Sequence, residues 1–466
     1  MIDRHQFDRS ILREYDIRGI IGQSLRDSDA YAIGRSFGTI VRSKGGKVIA
    51  VGYDGRLSSP QLEQALVQGL HTAGVSTIRI GMGPTPMLYY AVHELPVDGG
   101  IQVTGSHNPG NHNGFKLMLG RSSFFGDSIQ KLAQIAEKGE WQAVETKGRA
   151  ESVPVEANYI QRLLRDLKFN RGLVCVWDCG NGATGNVIRQ LVTKLPGQHH
   201  LLFAEVDGQF PNHHPDPTEP KNMVDLQQAV ARFGADFGFA FDGDGDRIGM
   251  VDHQGKILWG DQILALLAAP ILARQPGATV IADIKASQGL FDEIARLGGT
   301  PLMWRTGHSL IKAKLKETGA PLAGEMSGHI FIADNFYGFD DAIFVALRML
   351  ELLSATSTPL SEMTGRLPQW LNTPELRFEC SDGRKFQVIA EVKQRLKSQI
   401  AAGQNHELNE IDGVRLTTSN GWWLLRASNT QAVLVARAES ATAEGLETLK
   451  QQLRDQLTES GVDYPI

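Results

Sequence analysis

Gly100-Ile101-Gln102-Val103-Thr104-Gly105-Ser106-His107-Asn108-Pro109-Gly110-Asn111-His112-Asn113-Gly114-Phe115-Lys116-Leu117-Met118 passes from an apolar strand into a loop of small, polar and turn-forming residues, then back into strand-like sequence. Gly105 and Gly110 allow backbone shapes that a side chain would forbid, and Pro109 stiffens the turn. Ser106, between Gly105 and His107, is expected to expose its hydroxyl at the strand end, where it suits a nucleophile or a phosphoryl carrier. An ordinary Asn/Gly/Pro turn is an equal reading of the loop by itself.

The same layout recurs along the chain. Upstream, Lys47-Val48-Ile49-Ala50-Val51 enters Gly52-Tyr53-Asp54-Gly55-Arg56, followed by a helical stretch from Pro60 to Ala73 and a strand at Ser76-Thr77-Ile78-Arg79-Ile80. Downstream, Leu173-Val174-Cys175-Val176-Trp177 enters Asp178-Cys179-Gly180-Asn181-Gly182, and Phe237-Gly238-Phe239-Ala240-Phe241 enters a run of Asp and Gly. A third copy has Ala278-Thr279-Val280-Ile281-Ala282, then Leu302-Met303-Trp304, then Pro321-Leu322-Ala323. Strand–helix–strand alternation places helices over sheets. The expected fold class is therefore α/β, with three similar domains of mixed sheets covered by helices, their equivalent loops meeting at a central cleft. The copies share layout and little sequence. After Pro368 a charged helix over Arg384 to Ile400, strands near Gly421 to Leu425 and Ala432 to Val435, and an amphipathic helix over Ala441 to Leu457 predict a smaller α+β domain. Polar stretches at Lys147 to Glu156, Asp252 to Gly255 and Thr364 to Pro368 divide the chain into residues 1–152, 153–254, 255–367 and 368–466.

A chain of 466 residues suits such a division, since domains run to roughly 100–200 residues. The net charge of −5 argues against non-specific nucleic-acid binding, although a few local Arg and Lys can still gather an anionic substrate. The cysteines are Cys175, Cys179 and Cys380. Their odd number in a large chain argues against a disulfide framework, and their spacing argues against zinc. They read as small buried apolar residues. Met1 to Tyr15 is charged and is not read as a signal peptide. The longest apolar run, Ile263 to Ala273, is too short to span a bilayer and contains Pro270. The expected compartment is the cytoplasm, with no membrane partner.

Asp242-Gly243-Asp244-Gly245-Asp246-Arg247 sets three carboxylates directly after an apolar strand. Like charges this close call for a cation. Three carboxylate oxygens with an open position suit Mg²⁺. A calcium EF-hand needs Gly at loop position six and Glu at position twelve, where this chain has Arg247 and His253. A solvated acidic turn is the lesser alternative. Gly324-Glu325-Met326-Ser327-Gly328-His329 joins a carboxylate, a hydroxyl and an imidazole, which suits sugar hydroxyls, with a structural turn equally open. Arg426-Ala427-Ser428-Asn429-Thr430 offers several donors to a phosphate, with a polar hairpin turn as the alternative. Arg13 to Gly19 reads as a solvated segment, Thr306-Gly307-His308-Ser309 as a helix N-cap and Lys116 as a surface strand residue when each is taken alone.

Taken in order, Tyr15-Asp16-Ile17-Arg18-Gly19, Thr104-Gly105-Ser106-His107-Asn108-Pro109, Asp242 to Arg247, Gly324 to His329 and Arg426 to Thr430 resemble the motifs of the α-D-phosphohexomutases, of the phosphomannomutase/phosphoglucomutase branch. The resemblance runs from Tyr15 to about Glu439. It implies four domains and reversible phosphoryl transfer between the 1- and 6-positions of mannose or glucose phosphates, through phosphoserine 106 and a hexose 1,6-bisphosphate. It implies Mg²⁺ held by Asp242, Asp244, Asp246 and a phosphoserine oxygen, with Arg247 and Arg18 supporting the phosphoryl group. Lys116 and His329 would be the general acid/base pair. Glu325 and Ser327 would take sugar hydroxyls. Arg426, Ser428, Asn429 and Thr430 would hold the other phosphate, with further substrate contacts from Tyr15, Lys285 and His308. Glu325-Met326-Ser327 favours the dual glucose/mannose branch over phosphoglucosamine mutases, which tend to carry Gln in this loop. The fourth domain is expected to close over the substrate. A monomer is expected, with a dimer as the alternative. Competing readings are a phosphoglucosamine mutase, a phosphatase or mutase with an aspartyl nucleophile in Asp242-Gly243-Asp244, and a non-catalytic metal- or sugar-phosphate-binding protein.

Overall fold

Apolar runs such as Phe237 to Phe241 and Gly99 to Val103 are buried at every position, as strands covered on both faces require. A computed structural model describes residues 3–142, 144–429 and 431–464. Three sheets in it are built alike. In the first, Val48–Tyr53 lies parallel between Ser76–Met82 and Gly99–Val103, and His112–Leu119 then runs antiparallel to Gly99–Val103. In the second, Leu173–Asp178 lies parallel between Gly197–Leu202 and Phe237–Phe241, and Ile248–Asp252 runs antiparallel to the latter. In the third, Thr279–Asp283 lies parallel between Thr300–Trp304 and Leu322–Gly324, and Ile330–Ile332 runs antiparallel to the latter. The serine, aspartate and Glu325 loops are thus the same hairpin loop in three copies.

The fourth sheet is antiparallel throughout, with Val433–Ser440 and Gly421–Ala427 at its centre. Helices Asp382–Ala401 and Ala443–Glu459 pack against its strands. This is the α+β domain expected after Pro368.

One boundary differs from the sequence reading. The polar Asp252 to Gly255 stretch is a hairpin turn: Ile257–Leu258 folds back on Ile248–Asp252, so the second sheet continues to residue 258. Ala150–Ser152, within the polar stretch Lys147 to Glu156, is an edge strand of the first sheet and ends at residue 152. Turns and linkers share the same residue types, which is why composition alone misplaces them.

One continuous apolar core joins the first three domains. It gathers Leu88 and Tyr89 of helix Thr85–Glu94, Trp177 and Phe239 of the second sheet, Leu264 and Leu267 of helix Gly260–Arg274, and Phe344 and Leu347 of helix Ala342–Ser354. The run Ile263 to Ala273 lies in this interior, and among the described residues no helix is long and apolar enough to cross a membrane. The fourth domain has its own core, from Phe378 and Val388 to Trp423 and Leu453. Among the described residues its apolar contact with the third domain is a small patch, Ile284 with Trp422 and Leu424, flanked by Met303 and Ile411. All three cysteines are buried and unbridged.

Candidate active site

The chain leaves strand Gly99–Val103 and turns at Ser106, which holds φ +50°. The left-handed residue is the serine itself, and Gly105 serves close approach: a Cβ there would lie 2.4 Å from the Arg56 guanidinium carbon. The expectation of an exposed hydroxyl is corrected, since Ser106 is 2% exposed. Arg56, itself buried, accounts for this. Its guanidinium donates to the carbonyls of Ser106, Asn108 and Pro109 at 2.6 Å and of His112 at 3.0 Å. Asp54 completes the frame. It accepts from the Arg56 amide and side chain, the Thr104 hydroxyl and the Gly105 amide. Burial pulls the Arg56 pKa down, and Asp54 offsets part of that effect.

The Ser106 hydroxyl donates to Asp242 Oδ2 at 2.9 Å and lies 3.1 Å from His107 Nδ1. His107 is held well below the usual imidazole range by burial and then by Arg247 and Arg18, so it is neutral. The two loops touch at the backbone: a Cβ on Gly243 would lie 2.4 Å from the Ser106 carbonyl oxygen.

Asp242, Asp244 and Asp246 are wholly buried. Asp242 has both oxygens occupied, Oδ2 by Ser106, while Asp244 and Asp246 each have one taken. Asp242 Oδ1 accepts the amides of Gly245, Asp246 and Arg247 at 3.0–3.2 Å. Asp244 Oδ2 accepts from Lys116 Nζ at 2.7 Å and from the Thr85 hydroxyl at 2.5 Å. Asp246 Oδ2 pairs with Lys116. The opposite oxygens, Asp244 Oδ1 and Asp246 Oδ1, are buried without a hydrogen-bond partner. Oxygens of the three carboxylates come within 4.8 Å of one another. Burial, then Asp244 and Asp246, push the Asp242 carboxyl well above its ordinary range. Buried orphan acceptors and mutual repulsion are what a cation relieves, so this triad can hold a metal ion.

Lys116, read alone as a surface strand residue, is buried. Burial opposes its charge, but Asp244, Asp246 and Asp242 outweigh it and hold the ammonium above the usual lysine range. Arg247 Nε donates to His329 Nε2 at 2.9 Å. That donor fixes the tautomer: a neutral His329 carries its proton on Nδ1 and presents a lone pair at Nε2. Arg18 on strand Ile17–Ile20 pairs with Asp16 and donates to Asn108 of the serine loop.

The Glu325 loop forms the next wall. Glu325 Oε1 accepts the Gly307 amide at 2.6 Å, and burial raises its pKa. Ser327 is half-buried. His308 stacks on His329 with centroids 5.3 Å apart. The fourth domain supplies Arg426, paired with Asp412 at 2.9 Å, and Asn429, whose amide donates to Tyr15 at 2.5 Å. Ser428 is buried, and its carbonyl accepts from Lys385 Nζ at 2.6 Å. Thr430 lies outside the described residues. Lys285 is committed elsewhere, to Glu375 of the fourth domain at 3.0 Å.

Four side chains escaped the sequence reading. Arg56 and Asp54 lay in a repeated loop that the layout marked without revealing its chemistry. Thr85 and Lys385 carried no local signal, because each acts on a loop far along the chain.

Models of the phosphoglucomutase/phosphomannomutase domains match in order: alpha/beta/alpha domains I, II and III over residues 9–143, 157–255 and 259–370, and the C-terminal domain over 375–456. A phosphomannomutase/phosphoglucomutase of Pseudomonas putida is 44% identical over 448 residues, 96% of this chain and 95% of its own. A phosphoglucomutase of Neisseria meningitidis serogroup A is 41% identical over 447 residues, 96% of each chain. The crystal structure of a phosphoglucomutase/phosphomannomutase family protein from Burkholderia thailandensis superposes with TM-score 0.92 at 40% identity, covering 99% of this chain and 100% of that one.

Proposed function

The chain belongs to the phosphoglucomutase/phosphomannomutase family, and on that premise we propose that it moves a phosphoryl group between the 1- and 6-positions of glucose and mannose phosphates, with Ser106 as the carrier. The observation that carries this reading is the Ser106 hydroxyl at 2.9 Å from Asp242, beside a triad whose carboxylate oxygens come within 4.8 Å of one another. Mg²⁺ held by Asp242, Asp244, Asp246 and a phosphoserine oxygen would supply positive charge against the transferring oxygens.

The chain's own groups do the rest. Phosphoserine 106 loses its P–Oγ bond as a sugar hydroxyl oxygen bonds to phosphorus, giving a hexose 1,6-bisphosphate. The sugar turns end for end, and its other phosphoryl group returns to Oγ. The hydroxyl proton goes to His329 Nε2 once the Arg247 Nε turns to the phosphoryl group. Lys116, held as a cation, donates to the leaving Oγ. Arg247 and Arg18 spread charge from the transferring oxygens. Glu325 keeps Oε2 for a sugar hydroxyl, beside Ser327. Arg426, Ser428, Asn429 and Thr430 grip the other phosphate, with Tyr15, Lys285 and His308 along the path. All these groups come from one chain, which fits a monomer. An aspartyl nucleophile is disfavoured because both Asp242 oxygens already accept hydrogen bonds, Oδ1 from three backbone amides and Oδ2 from Ser106.

The test is intact mass with activity. Part of the purified protein should be about 80 Da heavy at the Ser106 peptide, as a phosphoryl group adds. Ser106→Ala should lose turnover of glucose 1-phosphate and mannose 1-phosphate by several orders of magnitude. Near-wild-type turnover in that variant would refute the reading. Glucosamine 1-phosphate, run in parallel with Mg²⁺ and a trace of bisphosphate, should be the poorest substrate.

A further inference from the structure

Behind the fourth-domain loop Arg426 to Gln431 sits a buried lysine. Lys385, in the first turn of helix Asp382–Ala401, is 4% exposed. A cation there stands at the positive end of the helix and out of water, so two effects oppose it. Three hydrogen bonds hold it in place. Nζ donates to the Ser428 carbonyl at 2.6 Å, to the Gln431 carbonyl at 2.9 Å and to Asp382 Oδ1 at 2.7 Å. Two of the three go to carbonyls of the residues that bracket Asn429 and Thr430 in the chain. Across a trans peptide bond the C=O and the following N–H point opposite ways. With the Ser428 carbonyl turned to Lys385, the Asn429 amide faces away from it.

Charge matters here as well as shape. Arg426, the guanidinium of this loop, is already paired with Asp412 at 2.9 Å, and neither side chain is more than 10% exposed. Lys285 is paired with the part-buried Glu375 at 3.0 Å. Asp382, the carboxylate beside Lys385, is 66% exposed, where water and salt screen it. Of these three cations, Lys385 has the charge that its partner cancels least.

We propose that Lys385 is a positioning residue for the non-reacting phosphate. It holds the back of the loop by two carbonyls, turns the Asn429 amide the other way, and adds positive charge where Arg426 is already matched by Asp412. This rests on the phosphate role proposed for Arg426 to Thr430. Lys385 acts through the loop, and the reacting groups belong to the other domains, so its effect falls on binding. A grip equal in ground and transition states changes KM and leaves kcat.

Lys385→Met in the full chain is the test, since Met keeps an apolar stem and loses the ammonium. With glucose 1-phosphate as substrate, KM should rise roughly 10–100-fold, the effect of hydrogen bonds from a charged group. The same variant should keep kcat within about three-fold of wild type. Calorimetry with glucose 1-phosphate, with Lys385→Met added to the Ser106→Ala chain, should show the matching loss of affinity in the absence of turnover. Melting curves confirm the fold. If Lys385→Met does not fold, Lys385→Gln, which keeps a donor without the charge, takes its place in both measurements. Unchanged affinity in the folded variant, or a fall in kcat with KM unmoved, would overturn the proposal. A Ser106→Ala chain that itself fails to bind glucose 1-phosphate would remove the phosphate role of the loop, and Lys385 with it. Equal binding by Ser106→Ala with and without Lys385→Met would remove Lys385 alone.

Discussion

Arg56 is the side chain from which the serine loop hangs. One planar fork reaches four carbonyls of that loop, and its outer face packs on the Phe210 ring at 5.1 Å. A lysine keeps the charge and loses the fork. Arg56→Lys should therefore displace Ser106, lowering kcat on the order of 100-fold, as ångström-scale misplacement does. Loss of the buried hydrogen bonds should also destabilise the fold by about 3–5 kcal/mol. Stopped-assay kinetics, denaturant melts and the phosphoserine fraction by mass read the three effects separately. Ser106 and the aspartates were legible in the sequence because their chemistry is contiguous. Arg56 was not, because its partners lie 50 to 56 residues away and Asp-Gly-Arg reads locally as a surface turn. Thr85 lies 159 residues from Asp244 and is hidden for the same reason.

At the scale of elements, the repeated hairpin explains both what the sequence revealed and what it concealed. An apolar strand, a polar loop and a returning strand are visible in the pattern three times, so the fold class and the three loops could be read in advance. What holds each loop comes from another element. Helix Thr85–Glu94 of the first domain meets the metal loop of the second, where the Thr85 amide donates to the Asp244 carbonyl at 2.8 Å and its hydroxyl to Oδ2. Thr85→Val keeps the shape and removes the hydroxyl. It should raise the Mg²⁺ needed for half-maximal activity about 10–100-fold, the usual loss when a ligand's supporting hydrogen bond goes, with kcat at saturating Mg²⁺ less affected. The loop that carries Phe210 has its own anchor in His213, 2.9 Å from Asp178. Burial works against the charged ring, but the Asp178 carboxylate outweighs it and lifts the His213 pKa to about 9. An unfolded histidine titrates near about 6.5. The folded pKa is the higher one, so this pair contributes its full stability below about 6.5 and loses it as pH rises through about 9. Melting temperature should decline across that window in the wild type, and the decline should flatten in Asp178→Asn.

Across the whole molecule, a shared core makes the first three domains one body, while the fourth keeps a core of its own. Its seam with the third domain is mostly polar, and several of its hydrogen bonds gather on residues 284–288, with others at Met303, Thr306 and Met326. Arg415 donates to the carbonyls of Ile284 and Ala286, Arg437 donates to that of Lys285, and Glu439 accepts from Ser287 and the Gln288 amide. Trp422 packs under Arg415 at 3.6 Å. Such a seam permits a hinge. In such a hinge the backbone carbonyls and amides of residues 284–288 would be the pivot, whereas the side-chain pairs Lys285–Glu375 and Asn429–Tyr15 would be the clasp. Clasp and pivot should respond differently to mutation. Glu375→Gln with Asn429→Ala should loosen closure, giving a larger radius of gyration and faster proteolysis near residues 366–375, both reversed by glucose 1-phosphate. KM should rise by roughly 2–150-fold, the effect of one or two hydrogen bonds of about 0.5–1.5 kcal/mol each, with melting temperature little changed. Arg415→Met should instead lower the melting temperature, because carbonyls of Ile284 and Ala286 stay buried without their donor. Equal scattering and equal protease sensitivity with and without sugar phosphate, in wild type and clasp variant alike, would show that the fourth domain does not move. Lys285 would then have to meet the substrate while still paired with Glu375.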